Sequence, residues 1–80
     1  MPTILRLDGY RFYFYSRESD EPVHIHVELG EKLAKYWLER VELASSKRFR
    51  AHELAIVREL VIEHRAEFIE AWNEYFNSGR

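Results

Sequence analysis

The sequence predicts an α+β domain in which a four-stranded antiparallel meander, made of two hairpins, packs one face against a C-terminal helix. Two observations predict the hairpins, since Asp8-Gly9 and Gly30-Glu31 each separate two runs rich in β-branched and aromatic residues. A third predicts the helix, because residues 50–76 contain neither glycine nor proline and are mostly good helix formers. The sheet is therefore expected within residues 3–38 and the helical part within about residues 50–76.

The predicted strands follow one another along the first half of the chain: Thr3–Leu7, Tyr10–Ser16, Val23–Leu29 and Leu33–Leu38. In each of the two tight turns, a glycine supplies the positive φ. The segment between the hairpins is polar and ends in Pro22, which favours a loop followed by an extended approach to the third strand.

The helical half carries an apolar side and an acidic side. At 100° per residue, the apolar side is formed by Leu54, Val57, Val61, Phe68, Trp72 and Tyr75. The opposite side is a glutamate stripe, typical of a solvated face: Glu59, Glu63, Glu67, Glu70 and Glu74. Because the phase does not slip, we expect one long helix or two nearly collinear helices with a bend at His64-Arg65. Asn77-Ser78-Gly79 ends this part.

The composition limits the class of protein. Eighty residues with 46% hydrophobic content suffice for a single domain over residues 1–80. The absence of cysteine excludes a disulfide framework and a thiolate metal site. No apolar run approaches membrane-spanning length, so we expect a cytoplasmic protein without a membrane partner. The formal net charge is −2, and any RNA binding therefore requires a local basic patch.

Strand parity divides the sheet residues between two faces. Two-residue turns place Leu7 opposite Tyr10 and Val27 opposite Ala34, which assigns the apolar positions to the helix side. The other side, which we call the outer face, then carries Arg6, Arg11, Tyr13, Tyr15, His24, His26, Glu28, Lys35 and Trp37. Long polar side chains are also what any open sheet face requires, and this simpler interpretation is about equally well supported.

His24 and His26 flank one isoleucine, so a strand projects both imidazoles from the same face. Imidazoles titrate near neutrality and can move protons, and Lys35 opposite His26 completes a candidate catalytic group. Cations interleaved with aromatic rings can hold phosphate and stack bases. The predicted substrate-binding residues are Arg6, Arg11, Tyr13, Tyr15 and Trp37.

A transition metal is an alternative ligand of the two imidazoles, with Glu28 as a third ligand. No fourth ligand is evident and Lys35 opposes a cation, so we rank metal binding below phosphate binding and assign no metal or cofactor. The basic run Lys47-Arg48-Phe49-Arg50 is a weaker phosphate candidate and is more typical of a solvated loop.

Four motifs in this order resemble the DUF4160 family of small bacterial proteins: Leu7-Asp8-Gly9-Tyr10, Glu21-Pro22-Val23-His24-Ile25-His26-Val27, Ala34-Lys35-Tyr36-Trp37-Leu38 and Ala71-Trp72-Asn73-Glu74-Tyr75-Phe76. Members commonly carry a second proline before the first histidine, where this chain has Val23. The family has no established activity. Its members are often encoded beside another small protein, which implies an arrangement like a toxin–antitoxin pair.

Two functions follow as hypotheses. The first is a toxin-like, metal-independent ribonuclease that acts on RNA, in which His24 and His26 serve as general base and acid. Lys35 and Arg6 would stabilise the charged phosphorane. The alternative is a non-catalytic module that binds a small partner protein of the antitoxin or regulator type.

Association of the chain is expected from the length of its C-terminal part. A continuous helix from Ala51 to Phe76 extends roughly 39 Å, whereas six-residue strands reach about 20 Å. An overhanging helix leaves Phe68, Trp72 and Phe76 uncovered, so these are the predicted contacts of a homodimer or a small cognate partner. Folding back at His64-Arg65 instead buries them within one chain.

Overall fold

A computed structural model describes residues 3–18 and 20–77 of the chain. Its elements, in chain order, are β1 (Thr3–Leu7), β2 (Tyr10–Tyr13), β3 (His24–Leu29), β4 (Lys32–Trp37), β5 (Glu42–Lys47), α1 (Ala51–Glu63) and α2 (Arg65–Asn77). The strands form one antiparallel sheet in the order β1-β2-β3-β4-β5. The predicted α+β class and antiparallel meander are thereby confirmed.

The number of strands differs from the prediction, because β5 adds a fifth strand after the second hairpin. Its sequence, Glu-Leu-Ala-Ser-Ser-Lys, is small and polar, and all six residues are exposed. Such a segment lacks the apolar and β-branched alternation by which strands are recognised. It forms a strand because it pairs with β4 along the edge of the sheet.

The registers of both predicted hairpins are confirmed. Leu7 lies opposite Tyr10 across a turn in which Asp8 and Gly9 both have positive φ, as a two-residue hairpin turn of this type requires. In the second hairpin, Val27 lies opposite Ala34, as parity predicts. In the same β3–β4 register, His24 lies opposite Trp37 and His26 lies opposite Lys35.

The core lies between the inner face of the sheet and the two helices. Its fully buried members include Phe12, Phe14, Ile25, Val27, Leu38, Val57, Val61 and Phe68. The rings of Phe12 and Phe68 stack at 5.1 Å between centroids. The hydroxyl of Tyr36 donates a hydrogen bond to the carbonyl of Leu54 at 3.1 Å, which joins β4 to α1.

The helical part is interrupted at His64, as one of the two alternatives predicted. His64 has φ −107° and ψ 14°, yet its N–H donates to Leu60 O and its carbonyl accepts from Phe68 N, so hydrogen bonding continues across the junction. Arg65 donates to the carbonyls of Leu38 and Glu39, which fixes the junction to the chain after β4.

The expected overhang of the second helix is not observed at the aromatic residues. Phe68 is fully buried and Trp72 is 7% exposed, because Phe14 continues the sheet layer beyond the last paired residue of β2. The Phe14 ring lies 5.2 Å from that of Trp72 and 5.3 Å from that of Phe76. Phe68, Trp72 and Phe76 of α2 therefore pack against their own chain. The prediction that an overhanging helix leaves them uncovered is wrong.

Neither of the helices found in residues 51–63 and 65–77 combines the length and the apolar character needed to cross a membrane.

Candidate functional site

The connection between β2 and β3 folds back and brings a glutamate to the start of β3. Glu18 follows a turn at residues 16–17, and its Oε1 accepts a hydrogen bond from the backbone N–H of Tyr15 at 2.8 Å. The Glu18 carbonyl accepts a second bond, from the N–H of Glu21, at 3.1 Å. Both bonds are local, so the connection itself fixes the position of the Glu18 carboxylate.

Both imidazoles of β3 meet that carboxylate. His24 Nε2 lies 2.9 Å from Glu18 Oε1, and His26 Nε2 lies 3.0 Å from Glu18 Oε2. The two imidazole centroids are 5.1 Å apart. One ligand atom from each residue lies within 4.8 Å of the other two. We call Glu18, His24 and His26 the Glu-His-His cluster.

His24 is fully buried, and the position of one of its protons follows from its neighbours. Its Nδ1 lies 2.9 Å from the carbonyl oxygen of Pro22, which can only accept, so Nδ1 carries a hydrogen and donates it. The described residues give Nε2 no correctly oriented hydrogen-bond partner, although Glu18 Oε1 is within reach. A neutral His24 therefore places an unprotonated Nε2 within 2.9 Å of a carboxylate oxygen.

The burial of His24 differs from the exposed imidazole that the sequence predicts. Its ring is enclosed by Trp37 at 5.6 Å and by Trp72 at 4.9 Å, measured between centroids. Trp72 also contacts Phe14 of the core, so α2 reaches the start of β3 and the two sides of the sheet meet there. His24 can bind an ion through Nε2, but its burial excludes direct contact with a large substrate.

The ionisation of the cluster follows from burial and hydrogen bonding. Burial lowers the pKa of His26, and the neighbouring Glu18 carboxylate offsets this only in part. Burial by itself raises the pKa of Glu18, but hydrogen bonds from His26 and from the Tyr15 N–H, together with the close His24 imidazole, outweigh it, so the pKa lies below its ordinary value. At neutral pH, a carboxylate and an unprotonated His26 imidazole are favoured, which are the forms that bind metals.

Two tyrosines enclose His26 and differ in exposure. Tyr13 stacks on the imidazole at 5.2 Å, and Tyr15 meets it edge-on at 4.8 Å. Tyr13 is buried and its burial raises the pKa of the phenol, which therefore stays protonated. Tyr15 is 43% exposed. Tyr13 thus orients His26, while part of the Tyr15 ring stays exposed.

Two of the three predicted cations of the outer face, Arg11 and Lys35, are paired with carboxylates. Lys35 Nζ lies 2.7 Å from Glu21 Oε1, and Arg11 Nη1 lies 3.0 Å from Glu28 Oε1. Arg6 lies opposite Arg11 in the β1–β2 register. Neither arginine lines the cavity beside His26, so the outer face is not one continuous basic surface.

The predicted site residues separate into two groups. A cavity of about 310 Å³ on the outer face is lined in part by Tyr13, Tyr15, His26 and Lys35. The residues outside its lining are Arg6, Arg11, His24 and Trp37. His26 belongs both to the lining of this cavity and to the Glu-His-His cluster, so it connects the cavity with the cluster.

Glu18 is the residue of the Glu-His-His cluster that sequence reasoning missed. The sequence predicts Glu28 as the third ligand because it continues the alternation of His24 and His26, but Glu28 pairs with Arg11. Glu18 lies in a non-periodic loop, so strand parity could not place it. The available signal was the spacing of a carboxylate six residues before His24.

Comparison with known proteins identifies the family. The model of DUF4160, described as a domain of unknown function, matches residues 9–73 of the 80-residue chain. The matched range contains Glu18, both histidines of β3 and Trp72. No curated protein and no solved structure matches the chain.

Proposed function

The chain belongs to the DUF4160 family, and from the geometry of its site we propose that it binds one divalent transition-metal ion and uses it for hydrolysis. The ligands are Nε2 of His24, Nε2 of His26 and the carboxylate of Glu18. The observation that carries the proposal is the buried Nε2 of His24, which faces a carboxylate without a hydrogen bond.

The protonation of His24 explains why that observation points to a cation. If Nε2 is unprotonated, two atoms that can only accept hydrogen bonds lie 2.9 Å apart, which is repulsive. If Nε2 is protonated, a fully buried imidazolium has a counter-ion but lacks an aligned hydrogen bond. A metal ion between the nitrogen and the carboxylate removes both penalties.

The donor set selects a class of metal. Two imidazole nitrogens and one carboxylate suit zinc, iron, nickel or copper, whereas magnesium and calcium prefer oxygen ligands. Ligands bound at about 2.0–2.1 Å from one ion lie roughly 3 Å apart. The separations of 2.9 and 3.0 Å between each imidazole nitrogen and a Glu18 oxygen are close to this value. The set as a whole spans up to 4.8 Å and must contract to hold one ion. The Pro22 carbonyl that receives Nδ1–H is the kind of outer contact that orients metal-binding histidines.

The number of ligands supports a catalytic ion. Three protein ligands with a remaining coordination position are the pattern of catalytic zinc sites, and water bound there ionises near pH 7. An ion held by Glu18, His24 and His26 would supply an activated water as the nucleophile for hydrolysis. His26 lines the adjacent cavity, which places a bound ion beside the space for a substrate.

A metal-independent ribonuclease is the second candidate, and the Glu18–His26 contact favours it. A carboxylate that orients a histidine is the usual support of a general base, and His26 lines the cavity together with Lys35. In this form, only His26 acts on the substrate, since His24 is enclosed. The toxin-like role and the alternative of a partner-binding module stay predictions.

Titration calorimetry of the chelator-treated protein with Zn²⁺, Co²⁺, Ni²⁺ and Mn²⁺ tests the metal site. We expect one ion per chain for at least one metal, with binding lost in His24→Ala and kept in His64→Ala, which removes a histidine from the helix junction. Glu18→Gln tests the site without emptying a buried position. Absence of saturable binding for every metal, or unchanged binding in Glu18→Gln, contradicts the proposal.

Incubation of the purified protein with RNA separates the two candidates. Cleavage that EDTA abolishes and one of these metals restores supports the metal centre. Cleavage that persists in EDTA and is lost in His26→Ala, but not in His64→Ala, supports the metal-independent reaction instead.

A further inference from the structure

The cavity beside His26 has the features of a binding site for a phosphate ester that carries a planar base. We infer that it binds this group, as a nucleotide or a single RNA strand presents it. The inference rests on the proposed function only for the reaction that follows binding, because the residues that would bind lie outside the Glu-His-His cluster. The volume of the cavity, about 310 Å³, is at the lower end of the range for small-molecule sites.

The charge of the cavity favours an anion. Lys35 and Lys47 line it, and no carboxylate is found among its described lining residues, although the formal net charge of the chain is −2. Lys35 is already paired with Glu21. Lys47 is exposed at the end of β5 and, within residues 3–18 and 20–77, makes no ion pair. Lys47 is therefore the cation available to a phosphate group.

The register of β5 places hydroxyl and ammonium groups together. Lys35 lies opposite Ser45, and Leu33 lies opposite Lys47. Since side chains alternate along a strand, Ser45 and Lys47 project from the same face as Lys35. A serine O–H and a lysine ammonium on neighbouring positions of one face are typical contacts of phosphate oxygens.

The exposed ring of Tyr15 is the group that would recognise the base of the ligand. Tyr15 is 43% exposed, lines the cavity and meets the His26 ring edge-on at 4.8 Å. This contact holds the ring while leaving surface for a ligand. Stacking of a base on such a ring is tolerant of sequence, which suits a single strand rather than a paired helix.

Filter binding of a radiolabelled ten-nucleotide single-stranded RNA to the full chain, in the presence of EDTA, tests the inference. Adenosine monophosphate and inorganic phosphate serve as competitors. We expect Tyr15→Ala to weaken binding roughly tenfold, because base stacking is lost, and Tyr15→Phe to bind like the wild type. Lys47→Ala should lower the slope of log K against log salt by about 0.7, the contribution of one phosphate contact on a single strand.

Matched controls come from the helical layer. Tyr75→Ala removes a tyrosine of similar exposure from α2, and Arg58→Ala removes an exposed cation from α1, so neither should change RNA binding. Equal losses in these controls, or wild-type binding by both Tyr15→Ala and Lys47→Ala, would overturn the inference. Inorganic phosphate competing as well as adenosine monophosphate would also overturn it, since no base is then recognised.

The competitors also distinguish the source of the ligand, because adenosine monophosphate that matches the RNA in affinity identifies a nucleotide site. The EDTA keeps the two proposals separate. RNA binding without metal leaves this inference intact if calorimetry finds no ion. A protein that binds one metal ion but no RNA contradicts this inference alone.

Discussion

Ile25 on the inner face of β3 and His24 on its outer side are both fully buried, but different kinds of groups bury them. Ile25 belongs to the core that the sheet forms with the helices, where any apolar side chain of similar volume finds similar contacts. His24 is enclosed by two tryptophan rings, the Pro22 carbonyl and the Glu18 carboxylate. The inner face therefore requires only an apolar side chain of suitable volume, which stabilises the fold. The surroundings of His24 instead require a side chain with the hydrogen-bonding groups of an imidazole.

The largest effect on the free energy of unfolding should come from a cavity-forming substitution in the core at the inner face. Phe68→Ala removes the ring that stacks on Phe12 and leaves a cavity, so we expect the free energy of unfolding to fall by about 3–5 kcal/mol. Urea denaturation followed by circular dichroism measures this. Ile62→Ala, at a position that is 42% exposed on α1, serves as control and should change stability by less than about 0.5 kcal/mol. Similar losses in both variants would contradict the described core.

Added metal should have a smaller effect on the free energy of unfolding, and this effect should depend on the outer side of the sheet and not on the inner face. At a free metal concentration one hundred times the dissociation constant, the free energy of unfolding should rise by about 2.7 kcal/mol. Phe68→Ala should retain this increment, if measured below its lowered melting temperature, whereas Glu18→Gln should lose it. Thermal unfolding with and without Zn²⁺ or Co²⁺ provides the measurement. An equal increment in Glu18→Gln would show that the ion binds elsewhere.

The smallest effect concerns the rim where the sheet meets α1. Glu53 accepts hydrogen bonds from Lys32 and from the N–H of Arg50, and these lower its pKa below the ordinary value of 4.5. A lowered pKa means that the folded state binds this proton less readily than the unfolded state. The stabilisation is therefore complete above pH 4.5 and is lost as the pH falls through the folded pKa.

Glu53→Gln should accordingly reduce the difference between denaturation midpoints measured at about pH 7 and about pH 3. Glu59→Gln is the matched control, because it removes a glutamate from the exposed side of the same helix and leaves the Lys32 contact in place. A pH dependence that is the same in Glu53→Gln and in the wild type would contradict a role for this pair.

The sequence was sufficient for features that follow from short-range rules. Asp8-Gly9 fixes the first hairpin and Gly30 the second, so parity alone correctly placed His26 opposite Lys35 and His24 opposite Trp37. β5 was missed because its side chains are small, polar and exposed, and only its pairing with β4 makes it a strand.

The candidate site needed contacts between distant parts of the chain, and these were not predictable. Trp72 lies 48 positions after His24 in sequence, and no local pattern indicates that its ring encloses that imidazole. The same holds for Glu18, whose direction depends on the fold of an irregular connection. Parity identified the residues that share a face, but not which of them are buried or paired.

The enclosure of His24 has an optical consequence. The chain contains two tryptophans, and both indole rings lie against this one imidazole, Trp37 at 5.6 Å and Trp72 at 4.9 Å. The tryptophan fluorescence of the protein is therefore emitted from the immediate surroundings of the cluster. A paramagnetic ion such as Cu²⁺ or Co²⁺ bound to His24 would quench both emitters, and the unlabelled wild-type protein would report the occupancy of its own site.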